Sequence, residues 1–334
     1  MNLAQYKALL KSRIEHGIKR PLYIEGPPGG GKTQAQAQVA AELGIGFVLI
    51  PGPTMAVEDL AMPVVDIKRG TVHFALDDKL PVEGSDCPDE GILCIDELPQ
   101  SPTDIQKGCA HLMQEREYKG QRLKEGWFIT ATGNRQTDRA GASRILSHLS
   151  NRMTRIKVDP DLDTWCNWYI EQDECKVELL SFLRFRPNLL LDFDPNRDIN
   201  PTPRAWVEGV GRSIGTIPGD AELEAFSGDV GEGAAAEFLS FLRIYRQLPN
   251  PDAVLLNPDK HAVPEDSATL YALSGALAQR ATRDNFDRVM TYAKRMPPEF
   301  SVIIVRDAMS RCPTICETRA FIQWSQKEGA ALLA

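Results

Sequence analysis

Apolar residues recur at helical spacing at the start of the chain, where Leu3, Tyr6, Leu9, Leu10, Ile14 and Ile18 share one face of an amphipathic helix. Gly17 and Pro21 help to end it. The period then changes. Leu22-Tyr23-Ile24 is a short apolar run that predicts a strand, and residues 33–43, rich in Ala and Gln, predict a helix that stops at Gly44. Residues 47–50, 92–95 and 127–131 are continuous apolar runs with β-branched content, the pattern of strands covered on both faces of a parallel sheet. Strands alternating with helical stretches predict a layered α/β domain with right-handed crossovers over residues 1–160. From residue 162 onward the period is mostly helical, as in 164–185, 234–248, 267–281 and 283–296, so an all-α region follows. Residues 187–203 are dense in Pro, Asn and Asp and read as the linker. The expected organisation is a core of residues 1–160, a helical connector of 161–200 and a helical domain of 201–334.

Length and composition narrow the class. The 334 residues suggest about two domains of ordinary globular composition, with 25% charged and 43% hydrophobic residues. Lys and Arg number 38 against 46 Asp and Glu, a net charge of −8, which counts against broad, non-specific nucleic-acid binding. No apolar run approaches the roughly 18 residues of a membrane span. The first twenty residues carry Lys7, Lys11, Arg13, Glu15 and Arg20 without a secretory pattern, so a cytoplasmic location is expected. Seven cysteines lie scattered without paired C-x-x-C spacing, and Cys312 and Cys316 have no further ligand near them in sequence, so reduced thiols are expected.

The candidate chemistry lies at the ends of the predicted strands. Gly26-Pro27-Pro28-Gly29-Gly30-Gly31-Lys32-Thr33 fits G-x-x-x-x-G-K-[ST] and sits between a predicted strand and a predicted helix, the context that motif requires. Glycines let backbone N–H groups turn inward around phosphates, the helix N-terminus favours negative charge, Lys32 neutralises β/γ charge, and the Thr33 hydroxyl is a Mg²⁺ ligand. Further on, the run 92–95 ends in Asp96-Glu97, two carboxylates at the carboxyl end of a strand, where parallel sheets bind ligands. Asp96 is suited to hold the Mg²⁺ and its water shell, and Glu97 to orient and deprotonate an attacking water. The strand 127–131 runs into Thr132-Gly133-Asn134, placing a neutral amide where it could touch the γ-phosphate or position the same water.

These three stations in this order resemble the AAA+ ATPases, with a Walker A loop, a Walker B strand ending in a glutamate, and Asn134 as the polar sensor 1 residue. The resemblance implies a P-loop NTPase AAA+ core, its parallel sheet sandwiched by helices, followed by an all-α lid domain, with ATP and Mg²⁺ as cofactors. The nucleotide set it implies is Gly26, Pro27, Pro28, Gly29, Gly30, Gly31, Lys32, Thr33, Gln34 and Asp96, with Thr33 and Asp96 on the metal. Residues 140–153, AGASRILSHLSNRM, are similar to the helix of the MoxR-type branch that ends in an arginine finger. That likeness implies Arg152 as a finger reaching the nucleotide of a neighbouring subunit, with Arg144 and Arg155 as alternatives. Pro201-Thr202-Pro203-Arg204-Ala205-Trp206 resembles the sensor 2 element, which gives Arg204 an expected place near the nucleotide. The segment 55–81, with a predicted hairpin turn at Lys68-Arg69-Gly70, is similar to the helix 2 insert of that branch and makes Asp59, Leu60, Lys68 and Arg69 contact candidates.

The resemblance thus implies an ATP-hydrolysing homo-oligomer, a hexameric ring, that remodels or activates a client, often beside a protein with a von Willebrand factor A domain. Two competing readings are a nucleic-acid-associated AAA+ motor or loader and a nucleotide-gated assembly scaffold. Net charge counts against the first, and Glu97 against the second, since a scaffold needs no water-activating carboxylate. The resemblance covers about residues 20–210.

Overall fold

The runs 22–24, 92–95 and 127–131 become strands packed on two sides, whereas the run 47–50, expected to be covered on both faces, lies at the sheet edge with Leu49 44% exposed. The computed structural model describes residues 1–56, 61–76, 79–135 and 145–329. Its strands are β1 (Leu22–Gly26), β2 (Gly46–Pro51), β3 (Ala61–Asp66), β4 (Thr71–Leu76), β5 (Glu90–Asp96), β6 (Glu117–Tyr118), β7 (Gln121–Arg122), β8 (Gly126–Asn134) and β9 (Thr154–Lys157). Five of them form one parallel sheet in the order β2-β5-β8-β1-β9. Leu22 and Ile24 face helices α1 (Leu3–Glu15) and α2 (Lys32–Leu43), whereas Tyr23 between them faces the opposite layer, with Ile105 and Cys109 of α3 (Thr103–Glu115). Ile92 and Leu93 divide in the same way. This two-sided burial is why these runs read as continuous rather than alternating. The α/β class expected from the sequence stands, with helices on both faces of a five-stranded parallel sheet.

The chain divides into two compact units, Met1–Pro160 with Phe193–Asn196, and Asp161–Asp192 with Arg197–Ala334. At the N-terminus, Asn2 and Gln5 form a reciprocal capping box at 2.9 and 3.0 Å. Helix α1 stops at Glu15, before Gly17 in its left-handed conformation, so Ile18 lies beyond the helix and is exposed rather than on its apolar face. The predicted turn at Lys68-Arg69-Gly70 does join an antiparallel hairpin, β3–β4.

The second unit is all helical among its described residues. It contains α5 (Leu162–Ile170) and α6 (Val177–Phe185), following the short α4 (Ser147–Ser150) of the first unit, then α7 (Glu222–Val230), α8 (Glu232–Arg246), α9 (Pro251–Leu256), α10 (Ser267–Arg280), α11 (Phe286–Ala293), α12 (Pro298–Arg311) and α13 (Arg319–Trp324). The single helix expected over 164–185 is two, broken at residues 171–176. Within the stretch 187–203, expected to be a linker, Leu189 and Leu190 are core residues of this unit, and the Leu189 carbonyl accepts the Trp206 indole N–H at 2.6 Å. The chain passes between units at Pro160 and Asp161 and again within this stretch, where residues 193–196 group with the first unit. Phe182, Trp206, Phe226, Phe238 and Phe241 interlock in one aromatic core.

One ion pair is enclosed in this unit. Arg184 of α6 and Asp307 of α12 are 4% and 2% exposed and meet in a two-pronged contact, with Nη2 donating to Oδ1 at 2.7 Å and Nη1 to Oδ2. Removing one partner leaves the other charge buried. Asp307→Ala is therefore expected to destabilise the helical unit by about 3–5 kcal/mol, whereas Arg184→Met/Asp307→Leu, which removes both charges, is expected to recover most of that loss. Denaturant midpoints of the two variants against the natural chain check this; equal destabilisation by both would show that the pair adds stability of its own.

Candidate active site

The glycine-rich segment forms a tight loop between β1 and α2. Gly29 and Gly31 lie in the left-handed region at φ 66° and 82°, which glycine enters at little cost. Gly26 is required for a different reason: a Cβ there would sit 2.6 Å from the Val158 carbonyl oxygen. Gly31 immediately precedes the helix and offers no side-chain cap, so the first-turn N–H groups of α2 are left for an anion. Lys32 is 8% exposed, and its ammonium donates to the carbonyls of Gly26 at 3.1 Å and Pro27 at 2.8 Å and to Asn134 Oδ1 at 2.9 Å. Gln34, next but one on the helix, is exposed.

Sheet order brings the other stations to this loop. Strand β8 lies between β1 and β5, with Gly26 opposite Asn134 and Ile95 opposite Ala131, so the ends of three strands converge. Thr33 Oγ1 donates to Asp96 Oδ1 at 2.7 Å. Thr132, fully buried on β8, donates its hydroxyl to the same Asp96 oxygen and accepts the Glu97 backbone N–H at 3.0 Å. Glu97 has φ 50°, a left-handed conformation unusual for a residue with a side chain, followed by buried Leu98 and Pro99. Its carboxylate makes no hydrogen bond or ion pair among the described residues, in contrast to Asp96. Two adjacent carboxylates thus have different environments, one bound by hydroxyls and one without a partner among the described residues.

The sequence reading missed Thr132. Its signal was position: it stands two residues before Asn134 at the end of a strand, yet its role depends on which strand lies beside it. Burial pushes the Cys94 thiol upward, with the nearby Asp96 carboxylate adding to the effect, so this cysteine beneath the site stays a protonated packing group. Burial likewise raises the Tyr23 phenol, helped by Glu25.

The candidate arginines are placed differently from one another. Arg152 follows α4, is partly exposed, and its guanidinium has no partner among the described residues. Arg155 lies on β9, where it pairs with the largely buried Glu25 at 3.1 Å and lies over the Tyr23 ring. Arg144 falls outside the described residues, as do Asp59 and Leu60. Arg204 belongs to the second unit, in the first turn of the helical stretch opened by Thr202, whose hydroxyl accepts the Ala205 N–H at 3.2 Å; its side chain is exposed and makes no hydrogen bond or ion pair among the described residues. Lys68 and Arg69 sit in the β3–β4 turn with their N–H groups on Asp66 Oδ1 at 3.0 and 3.1 Å. The hairpin's more conspicuous exposed groups are apolar, with Ile67 90% and Val65 63% exposed.

No family profile matches the chain, and neither does any curated protein. Solved structures similar in outline include a RuvB mutant from Thermotoga maritima, at 15% identity and TM-score 0.39, covering 82% of this chain and 80% of that one. NtrX from Brucella abortus is similar at 15% identity and TM-score 0.40, over 91% of this chain and 67% of its own. A DNA polymerase III gamma subunit-related protein from Thermotoga maritima is similar at 11% identity and TM-score 0.40, over 91% of this chain and 99% of its own. Among the described residues no helix is long and apolar enough to cross a membrane.

Proposed function

We propose that this chain is an AAA+ ATP hydrolase of the MoxR type, acting as a homo-oligomeric ring of six subunits on a client protein. The observation that carries this reading is the pairing of a Thr33–Asp96 contact with an adjacent Glu97 carboxylate that has no partner among the described residues, beside the glycine-rich loop. A binding-only scaffold has no use for that second carboxylate.

ATP and Mg²⁺ fit the residues present. Gly26 and Gly30 let the loop close tightly on itself, since a Cβ would lie 2.6 Å from the Val158 carbonyl oxygen at the first and 3.2 Å from the Pro27 carbonyl oxygen at the second. Thr33 Oγ1 and Asp96 Oδ1 are adjacent hard oxygen donors, the type Mg²⁺ prefers. Bound there, the ion would offset charge on the β- and γ-phosphates. Loop N–H groups and Lys32 hold the phosphates, Lys32 exchanging its carbonyl contacts for phosphate oxygens. Asn134, joined to Lys32, links phosphate position to the end of β8. Thr132 fixes the backbone of Glu97, which aims its carboxylate to take a proton from the attacking water.

Arg152, unlike Arg155, is free to serve a neighbouring subunit, and Arg204 serves the nucleotide from the helical domain as its lid. The β3–β4 hairpin, with its apolar tip, meets the client or a partner with a von Willebrand factor A domain. Phosphate release per subunit, measured against protein concentration with the mass determined with and without ATP, tests the reading. Turnover should climb as the ring assembles. A rate that does not depend on concentration would remove the ring, and a chain that binds no ATP would remove the whole proposal.

A further inference from the structure

Arg20 is an exposed residue just ahead of β1, remote in sequence from the short α4 and the turn that follows it. Its guanidinium nevertheless reaches across 131 and 133 positions to donate from Nη2 to the carbonyls of Asn151 at 2.8 Å and Met153 at 3.3 Å. Those carbonyls bracket Arg152. Arg20 is itself held by Arg13, whose Nη1 donates to the Arg20 carbonyl at 3.1 Å and whose Nη2 donates to Thr154 Oγ1 at 3.3 Å. Beneath the same turn, Leu149 and Met153 are buried in the core, and Thr154 N–H donates to the Pro21 carbonyl at 2.8 Å. The backbone on both sides of Arg152 is therefore pinned from within by two apolar side chains and from outside by one guanidinium. The Arg152 side chain itself is left without a partner among the described residues.

We infer that Arg20 is a positioning residue for Arg152, fixing the backbone from which that arginine reaches the nucleotide of the next subunit. The inference rests on the reading of Arg152 as a trans-acting finger. The planar guanidinium holds Nη2 and its two N–H bonds in one fixed plane between the two carbonyls, whereas an ammonium on a flexible stem is less constrained, so arginine is the suitable residue at position 20. Rate enhancement by a finger depends on placement, and displacements of about 1 Å are enough to forfeit large factors. Because the pinned residue acts on another subunit, loss of Arg20 should damage the neighbour's site and leave its own intact.

Arg20→Met is expected to lower kcat per subunit about tenfold with the KM for ATP unchanged, and Arg20→Lys to fall between the two. Arg20→Met/Arg152→Ala should be no slower than Arg152→Ala alone, since the two residues act as a unit. In assemblies mixed from Arg20→Met and Glu97→Gln subunits, the Arg20→Met sites receive an intact Arg152 from their neighbours, so their turnover should recover. A merely structural role would give additive losses and no recovery in the mixture, and either result overturns the inference. If Arg20→Met lowers the unfolding midpoint, Arg20→Lys is used in the mixture with the same criterion. Unchanged turnover in Arg20→Met beside a collapse in Arg152→Ala would remove this inference alone, whereas full activity in Arg152→Ala would remove the finger reading on which it stands.

Discussion

Arg152→Ala is expected to lower ATP turnover per subunit by about 10³–10⁵-fold, or roughly 4–7 kcal/mol of barrier, while ATP still binds. The expectation follows from charge. Transfer of the γ-phosphoryl group spreads negative charge over its oxygens, and a guanidinium delivered from the next subunit stabilises that charge only when the reaction is under way. Arg152 suits delivery to a neighbour because it stands in a braced turn yet has no cis partner among the described residues, whereas Arg155 is engaged with Glu25 on the same sheet. Rates measured above the assembly concentration, with nucleotide binding measured separately, decide the matter. A variant that assembles and turns over normally would return the role to Arg144 or to a subunit-autonomous mechanism.

Glu97→Gln is expected to reduce turnover by about 10²–10⁴-fold, the usual contribution of a positioned general base, and to leave nucleotide affinity nearly unchanged. The substitution keeps shape and removes basicity. Thr132 binds the Glu97 backbone rather than its carboxylate, so the left-handed turn and the hydroxyl contacts on Asp96 should survive in the variant. Single-turnover phosphate release beside equilibrium ATP binding separates the steps. Lost binding would mean that Glu97 helps to hold the nucleotide, and retained turnover would assign water activation elsewhere. The same variant separates a hydrolase from a site built only to bind and assemble, because a scaffold would be indifferent to it.

Much of the first unit is legible along the chain because its signals are local. A glycine-rich loop between an apolar run and a helix-forming stretch needs particular backbone dihedrals, and the glycines that permit them are visible as residues. Two carboxylates closing the run 92–95 are visible in the same way. Composition alone does not show which residues of a segment are buried. Leu189 and Leu190 pack into the helical core although prolines and asparagines surround them. In the hairpin, charge draws notice to Lys68 and Arg69, while burial shows that the aliphatic Val65 and Ile67 are exposed as well.

What the sequence by itself determined is the inventory of the candidate site: the glycine-rich loop, Asp96, Glu97 and Asn134, and the alternation of strand and helix that carries them to strand ends. Only the tertiary structure decided which of these residues meet. Placing β8 between β1 and β5 puts Thr132 on Asp96 and Glu97 and Asn134 on Lys32, although no spacing along the chain specifies that order. The same holds for the arginines, since Arg20, Arg152 and Arg155 are alike as residues. Their difference lies in partners brought near by the folding of distant segments: a carboxylate for Arg155, two carbonyls for Arg20 and, among the described residues, none for Arg152. Local sequence sets backbone preference and chemical type, whereas pairing between distant segments depends on how sheet and helix layers bury their apolar faces together.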